Sequence, residues 1–377
     1  MILTLFVYIF ALFFSVFLIG VLLGALFSPT TREKITEVVT RWIRRPELSL
    51  ARLPKNPVLA PRPSPWESMA VLNPAAFSAG GRIHLLYRAL GMDGVSRLGY
   101  ASSPDGVTFD QRLPYPVYTA PNPRQLPWRA QRYSPVLYPS GGSWGGCEDP
   151  RATKINERIY VTYNAFDGWD FIRVALTSIA EEDLLTGRWN WAPPILLSPP
   201  GERHKNWVLF PEKINGKFAL LHNLHGKDEN HVRIEYVDGL ESFDPVAQEI
   251  QSPDPQAIPP HLVAWHYRTR SAGPPPLKTP EGWLVLYHAM DPDEPHRYKL
   301  GALLLDLHDP TKILHRSPQP ILEPDALYEN EGKPGVVYAC GATHTRRYTL
   351  GILRRRRQSC RSRNGAPLSL SQRPCPR

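Results

Sequence analysis

One strand pattern recurs along the chain: a turn residue, an apolar or alternating stretch, then Tyr or His at its end. It reads "GGRIHLLYRA" ending near Tyr87, "NERIYVTYNAF" near Tyr163, "NGKFALLHNL" at His222 and "EGWLVLYHAM" at Tyr287 and His288. The ends lie roughly 60–75 residues apart, wider than a WD40 blade of ~40–45 residues but enough for one four-stranded blade with long loops. Shorter strand candidates such as "SRLGYASS" and "RVALTSI" lie between the copies. With 41 prolines and 26 glycines in 377 residues, many short strands with frequent turns fit better than a long helical bundle. The fold expected is all-β, a five-bladed β-propeller; the alternative is a β-sandwich with coincidental hairpins. Propellers gather functional side chains where innermost strands meet the central channel, so residues at the repeated strand ends are site candidates.

A fifth copy is due about 65 residues after His288. There the sequence becomes "LGILRRRRQSCRSRNGAPL". From Arg347 to Arg377 there are nine arginines and no lysine or acidic residue, which accounts for the whole formal charge of +9. Residues 1–346 are formally neutral, so the charge does not describe a phosphate-tracking surface, and no nucleic-acid partner is expected. Codons compatible with residues 347–368, read one nucleotide later, can encode a peptide containing Y-Y-G-G-A-D with the repeat pattern. A frameshift near Arg346 is therefore the expectation for the tail, and resequencing the DNA tests it.

Residues 1–27 carry no charge, and a helix of that length crosses a bilayer core of ~30 Å. A cleaved signal peptide is the alternative, but it would have a basic start and a shorter apolar run. Arg32, Lys34, Arg41, Arg44 and Arg45 follow, against Glu33, Glu37 and Glu47. The positive-inside bias then places the larger part in the cytoplasm. The expected division is a transmembrane anchor over 1–28 and a juxtamembrane, Pro-rich linker over 29–55. The propeller follows over 56–346, its fifth blade incomplete, and the Arg-rich tail over 347–377.

Of four cysteines, Cys360 and Cys375 lie in the tail, leaving Cys147 and Cys340 too far apart in sequence for a disulfide framework or metal knuckle. HExxH, P-loop and GxGxxG patterns are absent, so no metal or nucleotide site is expected. The segment "GGCEDPR" is different. A Gly-rich turn needs its glycines, but it does not need Glu148, Asp149 and Arg151 together.

The chain resembles glycoside hydrolase family 130, the mannoside phosphorylases and their relatives. The resemblance rests on "NPAAF" at Asn73, "IHLLYRA" at Ile83, "SRLGYASSPDGVTF" at Ser96 and "GGCEDPR" at Gly145. It continues through "KNWVLFPEKINGKFALLH" at Lys205, "AGPPPLKTPEGWLVLYH" at Ala272, "YKLGALLLDLHDPTKIL" at Tyr298 and "YENEGKPGVVYACGA" at Tyr328. It covers about residues 56–345, and the shifted frame would add the family's Y-Y-G-G-A-D ending.

The resemblance implies a five-bladed propeller with its site on the axis and Asp149 as general acid. It also implies inverting attack by inorganic phosphate on a β-mannoside, releasing α-mannose 1-phosphate, with no cofactor. Phosphate arrives already anionic, so the second carboxylate of an inverting hydrolase can be replaced by a cationic clamp. Asp149 then needs a raised pKa, from burial or from the charge of bound phosphate. Lys205 and Asn206 match a family phosphate-contacting pair, and Arg151, His222, Arg270, Lys278, His288 and Tyr298 are further candidates. Asn73, Arg88, Arg97 and Tyr338 are candidates for the sugar.

Taken singly, each has a plainer explanation. Lys205 and Lys278 could be surface charges, His222 and His288 core histidines, and Arg151 a partner of Glu148 or Asp149. Glu148 is expected to hydrogen-bond the turn, and Trp144, Trp207 and Trp265 to fill blade cores. The partners expected are a β-mannoside oligosaccharide or glycoconjugate, inorganic phosphate and, through the N-terminal helix, a membrane; a homo-oligomer is compatible with the sequence. A β-mannoside hydrolase on the same scaffold and a non-catalytic sugar-binding propeller are the competing functions.

Overall fold

Each repeat folds into an antiparallel meander whose second strand is the recurring sequence pattern. A computed structural model describes residues 13–17, 20, 48–121, 143–168, 171–224, 232–240, 256–258, 265–266, 268–330, 335–344, 349–352 and 355–356. The chain divides into two units, residues 1–48 and 49–377.

In the larger unit the first sheet holds β1 (Ala70–Ala79), β2 (Arg82–Leu90), β3 (Val95–Ser103) and β4 (Gln111–Arg112). The second holds β5 (Gly145–Ile155), β6 (Arg158–Asp167), β7 (Ile172–Ala180) and β8 (Ile195–Leu196), with a short helix α1 (Glu181–Leu185) between the last two. A short parallel pairing of Val95 with Gly145 and Ser96 with Gly146 fuses these two meanders edge to edge. The third sheet is β9 (His204–Leu209), β10 (Phe218–Leu224), β11 (Val232–Val237) and β12 (Gln256–Ile258). The fourth is β13 (Arg268–Ala272), β14 (Leu277–Thr279), β15 (Gly282–Met290), β16 (Lys299–Leu305) and β17 (Ile313–Arg316). A fifth, two-stranded sheet is β18 (Gly341–His344) and β19 (Thr349–Ile352), and β20 (Arg355–Arg356) pairs with β1.

The sheets stack face to face, and the core lies between neighbours rather than at one centre. Leu86, Leu98 and Tyr100 of the first sheet meet Cys147, Val161 and Tyr163 of the second. Val174 and Leu176 meet Trp207, Leu209 and Leu220 of the third, whose Val208, Phe210 and Leu221 meet Trp283, Val285 and Leu303 of the fourth. Leu286 and Leu300 then meet Val337, Ala339 and Ala342, leading into β18. Ser78 of β1 and Thr343 of β18 share a hydrogen bond of 2.8 Å between hydroxyls. Burial on both faces is why β2 and β15 read as near-continuous apolar runs. Each fully buried Leu or Phe contributes on the order of 1.5–3 kcal/mol.

The recurring tyrosine has a structural partner. Tyr87 pairs across the sheet with Gly99, and Tyr287 with Gly301. A Cβ on Gly99 would lie 2.2 Å from the Tyr87 ring, and one on Gly301 would lie 2.6 Å from the Tyr287 ring. The glycine makes room for the ring to lie across the neighbouring strand.

The all-β expectation therefore holds among the described residues of the larger unit, whose meanders follow one another in chain order, the first two joined in one sheet. The expected transmembrane helix over 1–28, and the membrane location built on it, are corrected. Among the described residues no helix is long and apolar enough to cross a membrane. Within the expected linker, Leu50 N–H donates to the Ile321 carbonyl at 3.0 Å, and Arg52 grips both Glu329 oxygens at 2.8 and 2.6 Å. The larger unit thus takes in these residues. In the Arg-rich tail β19 and β20 are described; the remainder of 347–377 lies outside the described residues.

Candidate active site

The innermost strand of each of the first four sheets breaks register at a corresponding place. The shifts fall between Leu72 and Ala75 in β1, between Glu148 and Arg151 in β5, opposite Leu221 and Asn223 for β9, and between Thr269 and Ser271 in β13. Three residues at the breaks have left-handed backbones: Asn73 (φ 49°), Asp149 (φ 51°) and Asn206 (φ 62°). Asn and Asp tolerate this conformation better than other side chains. Pro74 and Pro150 follow two of them, in the bulge positions where a strand can lack an N–H. "NP" and "DP" are therefore bulge signals, and each bulge turns its side chain toward the centre.

There the side chains meet. Asn73 Nδ2 donates to Asp149 Oδ1 at 2.6 Å, and Arg88 donates to the same oxygen at 2.9 Å. The other arm of Arg88 reaches Glu148 Oε1 at 2.7 Å, which also accepts from the Ser143 hydroxyl at 2.5 Å. Glu148 Oε2 accepts from Lys205 Nζ at 3.4 Å. Arg151 donates to the backbone carbonyls of Asp149 (2.6 Å) and Gly273 (3.1 Å) and to the Tyr338 hydroxyl (3.3 Å). Asn164 binds Asn206 twice, through its Nδ2 to Asn206 Oδ1 at 3.1 Å and through its Oδ1 to the Asn206 N–H at 2.8 Å.

Burial separates support from surface here. Glu148 and His288 are wholly enclosed, Arg88 and Arg151 are 1% exposed, while Asp149, Lys205, Asn206 and Tyr338 each keep 8%. Asn73 Oδ1 has no partner among the described residues.

The electrostatics differ from the raised pKa expected for Asp149. Burial alone would raise its carboxyl, but Arg88, Arg151, Lys205 and the Asn73 hydrogen bond outweigh it and hold it down at about 2. His288 is pushed down to about 3 by burial and then by the Arg151 charge. Tyr338 is pushed up to about 12, chiefly by burial.

Of the expected residues, Asp149, Arg151, Lys205, Asn206, His288, Asn73, Arg88 and Tyr338 are brought together. Tyr298 is buried nearby, packing with Met290, Val336, Tyr338 and Cys340. His222 stacks on Trp207 with ring centres 4.0 Å apart and bonds Glu235 at 2.9 Å. Lys278 is not drawn in; it pairs with Glu212 at 2.5 Å in an exposed position. Arg97 pairs with Asp93 at 2.6 Å. Arg270 has its backbone in β13, and its side chain lies outside the described residues. Trp207 and Trp265 are buried in blade cores, as expected.

Sequence reasoning missed Ser143, Asn164 and Ser271. A signal existed for Asn164: it follows Tyr163 as Arg88 follows Tyr87 and His288 follows Tyr287.

A family model described as beta-1,4-mannooligosaccharide phosphorylase matches residues 41–351. A 1,2-beta-oligomannan phosphorylase of Thermoanaerobacter sp. is 35% identical over 308 residues, covering 78% of this chain and 89% of that protein. A beta-1,2-mannobiose phosphorylase of the same organism is 33% identical over 309 residues, with the same coverage. Among solved structures, beta-1,2-mannobiose phosphorylase from Listeria innocua shares the fold at a TM-score of 0.59 and 24% identity, over 81% of this chain and 93% of that one.

Proposed function

Because the chain belongs to glycoside hydrolase family 130, we propose that it cleaves β-mannosides with inorganic phosphate and releases α-mannose 1-phosphate. A phosphate oxygen bonds to the anomeric carbon from the face opposite the glycosidic oxygen. The glycosidic C–O bond breaks with its electron pair on oxygen, and that oxygen takes a proton supplied by Asp149. Phosphate is the co-substrate, and its own proton restores the carboxyl.

One observation carries this reading: Asp149 lies among Arg88, Arg151 and Lys205, while the neighbouring carboxylate, Glu148, is enclosed with both oxygens engaged. Glu148, wholly enclosed and held by Arg88, Ser143 and Lys205, is poorly placed to activate a water, as an inverting hydrolase requires. A cationic hollow suits a dianion instead. In this proposal Lys205, Asn206 and Arg151 hold phosphate, and Asn73, with its open Oδ1, meets a sugar hydroxyl. The depressed pKa belongs to the site without phosphate. A bound dianion offsets the three cations and raises the Asp149 carboxyl toward the protonated form. The two Thermoanaerobacter relatives favour a β-1,2 linkage.

Incubation with β-1,2- and β-1,4-mannobiose, with and without phosphate, tests this. Mannose 1-phosphate formed only with phosphate supports the proposal, and free mannose irrespective of phosphate overturns it. We also propose a frameshift near Arg346, from the Arg-rich tail standing where the fifth copy of the repeat is due; resequenced DNA in the present frame removes it.

A further inference from the structure

Tyr338 ends a hydrogen-bond chain whose direction the backbone fixes. The Ala339 N–H donates to His288 Nε2 at 2.9 Å. That nitrogen is therefore the acceptor of a neutral ring, and the ring hydrogen lies on Nδ1. Nδ1 stands 3.0 Å from Ser271 Oγ and donates to it. Ser271 in turn gives its hydrogen to the Tyr338 oxygen at 3.4 Å. Arg151 donates to the same oxygen at 3.3 Å. The Tyr338 oxygen thus accepts twice, and the phenol hydrogen is left to give, with no acceptor among the described residues. The His288 ring lies flat on the Tyr338 ring, 4.3 Å between centres and 7° between planes, which holds the phenol in place.

A hydroxyl whose oxygen is saturated can donate and cannot accept. A sugar hydroxyl accepts such a hydrogen but brings no charge to the adjacent Arg151 guanidinium. A phosphate oxygen, which only accepts, fits both the phenol hydrogen and the adjacent Arg151 charge. We propose that Tyr338 is a binding residue of the phosphate site, donating to a non-bridging phosphate oxygen, and that Ser271 and His288 are positioning residues that fix the direction of that donation. The inference rests on the phosphorolysis proposed above. It also gives His288 a role different from that of a cationic phosphate ligand, since both ring nitrogens are committed and the ring is neutral.

Steady-state kinetics on the full chain test it, with phosphate varied at fixed β-1,2-mannobiose and the sugar varied at fixed phosphate. Tyr338→Phe keeps the ring on His288 and removes the donor. Its KM for phosphate should rise about tenfold, as loss of one charge-assisted hydrogen bond implies, with the mannobiose KM within about twofold. Ser271→Ala should raise the phosphate KM by a smaller factor, and Ser271→Thr, which keeps the hydroxyl, should restore it. An unchanged phosphate KM in Tyr338→Phe, or a rise confined to mannobiose, overturns the assignment while leaving phosphorolysis intact. Equal behaviour of Ser271→Ala and Ser271→Thr overturns the positioning role. A parent chain whose turnover ignores phosphate removes the functional proposal and this one with it.

Discussion

Asn73 and Asp149 hold the same place in two successive innermost strands, and the first donates to the carboxylate of the second at 2.6 Å. Both have left-handed backbones beside a register shift, and both precede a proline. The backbone device and the side-chain contact can be separated by mutation. Asn73→Gly keeps the backbone and loses the amide; kcat/KM should fall about tenfold, the loss of one hydrogen bond to a charged group, with little change in melting temperature. Asn73→Ala should show the same kinetic loss and an added destabilisation of about 1 kcal/mol from a strained φ. Equal stability of the two variants in urea would remove the strain argument.

Asp149→Asn should cut phosphate-dependent turnover by at least ~10²–10⁴-fold, the usual contribution of a general acid. Its folded state should persist, because the amide can still face Asn73 and Arg88. In the parent, a carboxyl titration followed by carbon NMR should give an apparent pKa near 2 without phosphate and a clearly higher one with phosphate bound. No phosphate effect on that titration would leave Asp149 without a way to carry its proton.

Acid should destabilise the fold in two steps. His288 titrates at about 3 in the folded chain against 6.5 when free, and Asp149 at about 2 against 3.8. In both cases the unfolded chain binds its proton first, so stability falls as pH falls. The His288 contribution is complete above 6.5 and erodes down to about 3; the Asp149 contribution erodes between 3.8 and 2. Urea midpoints at pH 7.5, 5.5 and 4.5 should decline, and His288→Asn should flatten the decline. A midpoint independent of pH over that range would contradict the buried neutral ring.

Gly301→Ala should cost about 1–3 kcal/mol through overpacking, because the new methyl meets the Tyr287 ring at 2.6 Å and Trp265 at 2.7 Å. Gly187→Ala meets nothing within 4 Å but carries a positive φ of 71°, so its cost should be a backbone cost alone, about 1 kcal/mol. Denaturation of the two variants compares ring crowding with backbone strain, and a milder effect at Gly301 would contradict the packing described.

Much of the fold was legible because a repeat announces itself. Tyr87, Tyr163 and Tyr287 mark equivalent second strands, and "EDPR" marks a bulge. The cluster was legible where it coincides with motifs, as at Asp149, Arg151, Lys205 and Asn206. What was not legible depends on pairing across blades. Asn164 matters because it faces Asn206 from a neighbouring sheet, and Ser271 because it lies beside both His288 and Tyr338. The protonation of Asp149 could not be read either, since it turns on three cations that arrive from separate sheets. At the N-terminus the spanning helix expected from apolar composition is overturned, since no helix among the described residues is long and apolar enough to cross a membrane.

The recurring register shift has a consequence for how such a molecule changes over generations. The same backbone irregularity presents Asn73, Asp149 and Asn206, and a fourth shift falls at Arg270. Because the strand already departs from regular pairing there, the side chain can be exchanged without renegotiating the ladder. Each of these four meanders thus offers one adjustable position on a frame fixed by its ladder, so sugar preference or anion preference can drift by single substitutions while the sheets that carry them stay as they are.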